Sequence, residues 1–186
     1  MDILSGLTLA APAGVNAYIP LLAVALAERL GWLHLYEPYD VLGSWWVIAI
    51  IAVLLTVEVI ADKVPAVDHV NDVIQTVVRP AAGGLLAVSS SGHGSVSPVV
   101  LLVAGVLIAG SVHAVKATAR PVVNASTAGA GAPVVSTLED IGAAIVTVLA
   151  LLVPVIAAIV IITTVVLAIV MIRRWRRHHR AAQGRT

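Results

Sequence analysis

The sequence predicts an all-α, polytopic helical membrane protein with four long transmembrane helices, two short broken or re-entrant segments and one amphipathic helix. Three observations carry this reading. Of 186 residues, 60% are hydrophobic and 11% charged, where a soluble domain has roughly 45–50% and 25%. A mean hydropathy of +1.03 leaves no length for a soluble catalytic domain beside the apolar segments, and excludes polar disorder. The apolar residues also gather into stretches near the ~20 residues that a helix needs to cross a bilayer core.

The first stretch, Ile3–Ala27, is long enough to cross but is punctuated by Gly6, Pro12, Gly14 and Pro20. This predicts a broken or kinked helix. The start Met1-Asp2 lacks the basic region of a secretory signal, so the stretch is expected to be retained. Backbone freed by a break is tolerated at membrane depth only under protein or water, which places Asn16 and Tyr18 towards the bundle interior; a simple proline kink is the alternative.

Ser44–Ala61, Pro98–Val115 and Ile141–Ile172 are the clearest crossings. In the last, Pro154 removes a backbone donor and predicts a kink, and Ser136 stands three residues before Glu139, the spacing of a capping box at a helix start. Between the first two lies Ala66–Val78, where Asp68, Asp72, Gln75 and Arg79 recur on one side and Val70, Val73, Ile74 and Val77 on the other, the pattern of an amphipathic helix. Pro80-Ala81-Ala82-Gly83-Gly84 and an apolar run to Val88 follow, too short to span and read as re-entrant. The small-residue run Pro121–Val135 is the second such segment. Arg79-Pro80 and Arg120-Pro121 each lead into one of them, a faint sign of internal repetition.

Residues 1–172 carry five Lys/Arg against ten Asp/Glu, and residues 173–186 carry six Arg. The chain divides accordingly into one integral membrane domain, 1–172, and a basic cytoplasmic tail, 173–186. Under the positive-inside rule the Arg173–Arg180 run stays cytoplasmic. Four crossings result if the broken segments do not span and six if they do; either way both termini are expected in the cytoplasm, with loop Gly31–Gly43 outside. Trp32, Tyr36, Tyr39, Trp45 and Trp46 around that loop resemble an interfacial aromatic belt. The expected location is the cell's inner (plasma) membrane.

No cysteine is present, which excludes disulfides, thiolate nucleophiles and Cys-based metal sites. The nucleophile elbow, the Walker A loop and the dinucleotide fingerprint are absent as well. The chain is therefore not expected to be an enzyme or to hold a cofactor, and nucleic acid is not an expected partner.

Charges within membrane helices cost roughly 2.5–3.5 kcal/mol at the centre, so those near crossings are functional candidates. Glu58, Asp62, Lys63, Asp68, His69 and Asp72 form one group. It reads either as a cation or proton site or as a solvated helix with ordinary ion pairs, and its spacing matches no metal motif. Glu58 and Asp62 share a face, with Lys63 placed to relieve their repulsion. His113, Lys116 and Arg120 share another face. They read as a grip on an anionic headgroup, as partners of the acidic group, or as a snorkelling collar at the lipid boundary. Asn124-Ala125-Ser126 fits the glycosylation pattern but more simply a turn, and Ser89–Ser95 reads as a flexible loop.

Val57-Glu58-Val59-Ile60-Ala61-Asp62-Lys63-Val64-Pro65-Ala66-Val67-Asp68-His69-Val70-Asn71-Asp72, continuing to Arg79-Pro80-Ala81-Ala82-Gly83, resembles the signature of the domain of unknown function 4126 family of small bacterial membrane proteins. Gly14–Leu22, His113–Arg120, Asn124-Ala125-Ser126 and Glu139-Asp140 resemble it too. The likeness covers roughly residues 5–150, with the basic tail as an addition. It implies a polytopic membrane protein and attaches no activity. Because its motif residues coincide with the charged groups, it favours Asn16, Tyr18, Glu58, Asp62, Lys63, Asp68, His69, Asp72, Arg79, His113, Lys116, Arg120, Asn124, Glu139 and Asp140 as a polar path or binding cluster.

Two functions remain open from the sequence. One is a small ion or solute transporter or channel whose charged residues line a Gly/Pro-broken core; the other is a non-transporting scaffold binding lipid or a partner protein. The expected partners are the lipid bilayer, a small ion or solute in the first case, and a second copy of the chain if it is oligomeric.

Overall fold

A computed structural model describes the backbone of residues 1–63, 65–90, 92, 96–127 and 130–183; within these, the side chains of 65, 66, 68, 69, 124, 168, 172 and 174–183 are not described. Seven α-helices are present among the described residues: α1 (Ile3–Val15), α2 (Tyr18–Arg29), α3 (Trp45–Ala61), α4 (Pro65–Val88), α5 (Pro98–Thr127), α6 (Ala132–Leu152) and α7 (Pro154–Gln183). A short 3₁₀ turn, Tyr39–Gly43, precedes α3.

The first apolar stretch is two helices folded back on each other. Asp2 caps α1, its Oδ1 accepting from Ser5 N at 2.6 Å. At the far end Asn16 leaves helical geometry, and its Oδ1 accepts from Tyr18 N and Ile19 N at 3.1 and 3.2 Å, closing the first turn of α2. The Met1 amino group donates to His34 O at 3.0 Å. Collinear helices from Ile3 to Arg29 would extend about 40 Å, and the five residues on to His34 reach back at most ~18 Å, so α1 and α2 form a hairpin with Asn16 at its tip. It ends in a Schellman motif: Gly31 has φ 72°, its N–H bonds Glu28 O, and Trp32 N–H bonds Ala27 O.

The hairpin corrects the expected topology. Met1 lies at the same end as the 31–43 loop, and α7 runs alongside α1 in the same direction, with Ala158 beside Thr8 and Thr164 beside Val15. The start of the chain and the end of α7 therefore lie at opposite ends of the bundle, where an even number of passes had placed both termini together. The reason is local: a break capped by one Asn side chain permits reversal, where a proline kink only bends.

Four other expectations change. Ala66–Val78 and the run to Val88 are one helix, α4, which continues through Pro80; the expected second short segment is absorbed by α5, which runs through Pro121 to Thr127, and by the start of α6. The stretch Ile141–Ile172 is cut at Val153 (φ −144°, ψ 75°), because a residue before proline is driven out of helical geometry; α7 then returns antiparallel to α6. Ser136 lies inside α6, whose start is Ala132-Pro133, so it does not cap.

Four long crossings were expected; among the described residues three helices are long and apolar enough to span a membrane by length and composition, Pro98–Thr127 and the two into which the expected Ile141–Ile172 divides, Ala132–Leu152 and Pro154–Met171. Ile3–Val15 and Trp45–Ala61 are shorter apolar helices. Around the Met1 end, Trp32, Tyr36, Trp45 and Trp46 are exposed, Tyr39 is half-buried, and Arg29 stacks over the Trp45 ring at 4.9 Å.

Helices α1, α4 and α5 pack most closely. A Cβ on Gly105 of α5 would overlap the Gly83 carbonyl of α4, and one on Gly14 would overlap the Ala109 carbonyl. Small residues here let backbones touch, as in membrane-helix packing generally.

Candidate functional site

Away from the Met1 end, the same helices converge on charge. Asp62, in the turn after α3, is 1% exposed. Its Oδ2 lies 2.9 Å from Arg120 Nη2, 3.3 Å from Lys116 Nζ and 3.8 Å from Arg79 Nη2, and its Oδ1 accepts from Asn71 Nδ2 at 2.8 Å. Burial alone would raise the Asp62 carboxyl, but Lys116, Arg120 and Arg79 outweigh it and hold the group below the usual carboxylate range.

Arg79, fully buried in the middle of α4, donates to Glu58 Oε1 at 2.9 Å. Its Nη1 also meets His113 Nδ1 at 2.9 Å. Because a guanidinium has no acceptor, Nδ1 must accept, which leaves the ring proton on Nε2. From there it reaches Thr76 Oγ1 at 3.2 Å, and Thr76 donates in turn to Asp72 O at 2.9 Å. Asp72 completes the α4 side, 3.9 Å from Arg79 and 3.7 Å from Arg120.

The hairpin tip joins this network. Lys116 Nζ donates to Val15 O at 2.8 Å, satisfying a carbonyl at the end of α1, and Asn16 Nδ2 donates to Asp140 Oδ1 at 3.0 Å. Glu139, the residue before, meets Lys116 at 3.1 Å and Arg120 at 3.4 Å. Five helices and the tip thus share one polar centre.

Of the residues expected to form a cluster, Asn16, Glu58, Asp62, Asp72, Arg79, His113, Lys116, Arg120, Glu139 and Asp140 come together. Tyr18 is half-buried beside them, facing Glu58 and Gln75. Among the described residues Lys63 does not join; its Nζ donates to Val59 O at 3.0 Å, and the repulsion between Glu58 and Asp62 is relieved by cations of α4 and α5. The side chains of Asp68, His69 and Asn124 lie outside the described residues. The collar reading fails: Lys116 and Arg120 are 5% and 8% exposed and turn inward, since carboxylates from α3, α4 and α6 await them there. The solvated-helix reading fails for the same reason at Glu58 and Asp62.

Sequence reasoning missed Asn71, Thr76 and the Val15 carbonyl, and did not single out Gln75. The signal was present in the α4 pattern, whose polar side the sequence left unassigned. Val70, Val73, Ile74 and Val77 are exposed, whereas Gln75 and Arg79 are buried. In a lipid setting the apolar side of such a helix faces outward.

No curated protein and no solved structure matches the chain. The family signature extends beyond the 5–150 span read from the sequence, taking in nearly all of the apolar part of α7. A family model described as Domain of unknown function (DUF4126) matches residues 3–174, and the chain belongs to that family.

Proposed function

We propose that the protein is a small membrane transporter or channel in which an ion or small polar solute moves past the charged centre at the hairpin tip. The observation that carries this is the burial of Asp62 among three cations at the point where the α1–α2 backbone is broken. Charges at membrane depth are costly and mark ion and substrate pathways. Half-helices that end at a polar centre are a recurring way for transporters to offer backbone groups to a substrate. On this reading α3–α7 cross a bacterial plasma membrane, and the α1–α2 hairpin enters from the Met1 side. The Arg-rich end of α7 faces the cytoplasm, and the aromatic residues near Met1 mark the outer interface.

One observation favours the scaffold reading: the charges pair closely with one another, as they would if they only fixed the helices. Reconstitution in liposomes separates the two. Asp62→Asn and Lys116→Met alone each leave a buried charge unpaired, so the informative variant is the double one, which removes one charge of each sign. Transport predicts that wild-type protein moves a proton, an alkali ion or a small solute, and that the folded double variant does not. A flux indifferent to the double substitution, or none in the wild type, favours the scaffold.

A further inference from the structure

The ion-pair network leaves one carboxylate short of partners. Among the described residues Asp62 meets three cations, Asp72 two and Glu139 two, but Glu58 meets Arg79 alone. Among the described residues four carboxylates form ion pairs with three cations here, and Asp140 stands beside them bonded to Asn16. Asp72 and Glu139 are 15% and 25% exposed, whereas Glu58 is 1% exposed. Its Oε1 takes the Arg79 hydrogen bond; among the described residues its buried Oε2 has no hydrogen-bond partner, and Asp72 Oδ1, though more exposed and 3.7 and 3.9 Å from two cations, has none either.

A second orphan acceptor accompanies it. Among the described residues Gln75 Oε1, on a side chain only 2% exposed, is also without a donor, and the Tyr18 phenol interacts with the Gln75 side chain and feels the charge of Glu58. An ionised carboxylate with a bare oxygen in a low-dielectric interior is costly. One proton on Oε2 removes one negative charge from the centre and converts that bare oxygen into a donor. A metal cation would bring a ligand shell of its own against the Arg79 guanidinium already seated on the other oxygen.

We propose that Glu58, with Gln75 and Tyr18, forms a proton-binding site at the charged centre. That its proton is the ion coupled to transport rests on the transport reading above. Among the described residues the charged and titratable groups around the site are Asp62 beyond α3, Tyr18 on α2, Asp72 and Arg79 on α4, His113, Lys116 and Arg120 on α5, and Glu139 and Asp140 on α6.

Infrared spectra of the full chain in lipid nanodiscs, titrated from acid to alkaline pH, test the site directly. The expected result is a protonated-carboxyl C=O band that persists at neutral pH, is lost in Glu58→Gln, and shifts in Gln75→Leu, which removes an acceptor without removing the acid. Should Glu58→Gln fail to fold, the Gln75→Leu shift carries the test. A wild-type spectrum without that band at neutral pH, or a band that survives Glu58→Gln, overturns the proposal. So does a sodium or potassium titration that raises the melting midpoint of the wild type and not of Glu58→Gln, with the band absent. Proton flux in liposomes is read separately: the band without flux upholds the site and removes its role in transport, whereas flux without the band overturns the site alone.

Discussion

The two ends of α1, α4 and α5 are held together by different physics. Towards Met1, Gly6 abuts Ser90, Ala10 approaches Gly83, and Gly83 rests on Gly105, with Leu9, Ala10, Ala13 and Ala109 fully buried. Towards the hairpin tip the same helices meet through Lys116 and the Val15 carbonyl, Arg79 and His113, and Thr76 and His113. Lipid tails are as apolar as leucine, so apolar burial does little to hold one helix against another in a membrane; close backbone contact and polar contact remain. The first kind is indifferent to pH and needs only small residues. The second requires every partner to be present and correctly charged.

That contrast is most sharply broken at Asp62. Removing one member of a buried ion pair typically costs about 3–5 kcal/mol, and Asp62→Ala takes a carboxylate away from three cations at once. Its thermal midpoint in detergent is expected to fall further than that of Gly105→Leu or Asn16→Ala, with much of the loss recovered when Arg120→Met or Lys116→Met is added. At the opposite end, Gly105→Leu forces α4 and α5 apart and is expected to cost about 1–3 kcal/mol, the usual scale of overpacking. No second charge substitution should rescue it. A rescue there would show that the two ends are not held separately.

Asn16→Ala removes both the cap on α2 and the link to Asp140, and is expected to cost about 1 kcal/mol as lost caps commonly do. Cysteine labelling at 17 should then become easier, since the tip is freed from α6. The smallest effect is the pH dependence at Asp62. Its carboxyl is held below the ordinary value in the folded chain, so its stabilisation is complete above the unfolded-state value and is lost as pH falls through the folded one. The difference in midpoint between wild type and Asp62→Asn should therefore shrink only below the ordinary carboxylate range, while that between wild type and Gly105→Leu stays flat. A gap that closes near neutral pH would mean that Asp62 is not the ionised hub.

Much of the charged centre was legible because charge in so apolar a chain has few places to go. Glu58, Asp62, Lys116 and Arg120 stood out by cost alone, and the family resemblance added Arg79 and Glu139. Which way they pointed was not legible. The α4 pattern has the same period whether its polar side faces water or a protein interior, and only the packing of α3 and α5 against it decides. Asn71 and Thr76 went unnoticed because, unlike a charge, an amide or hydroxyl on a helix carries little cost to mark it.

By itself the sequence determined that the chain is helical and apolar, where several helices begin or break, and which side chains are too costly to be idle, since these follow from composition, proline and glycine placement, and hydration. Tertiary structure alone decided that the break at Asn16 is a reversal, that residues 154–183 double back on α6, and that acids and bases from α3, α4, α5 and α6 meet. Periodicity fixes a helix face, but the partner of that face is set by contacts distant in the chain, and no local pattern encodes them.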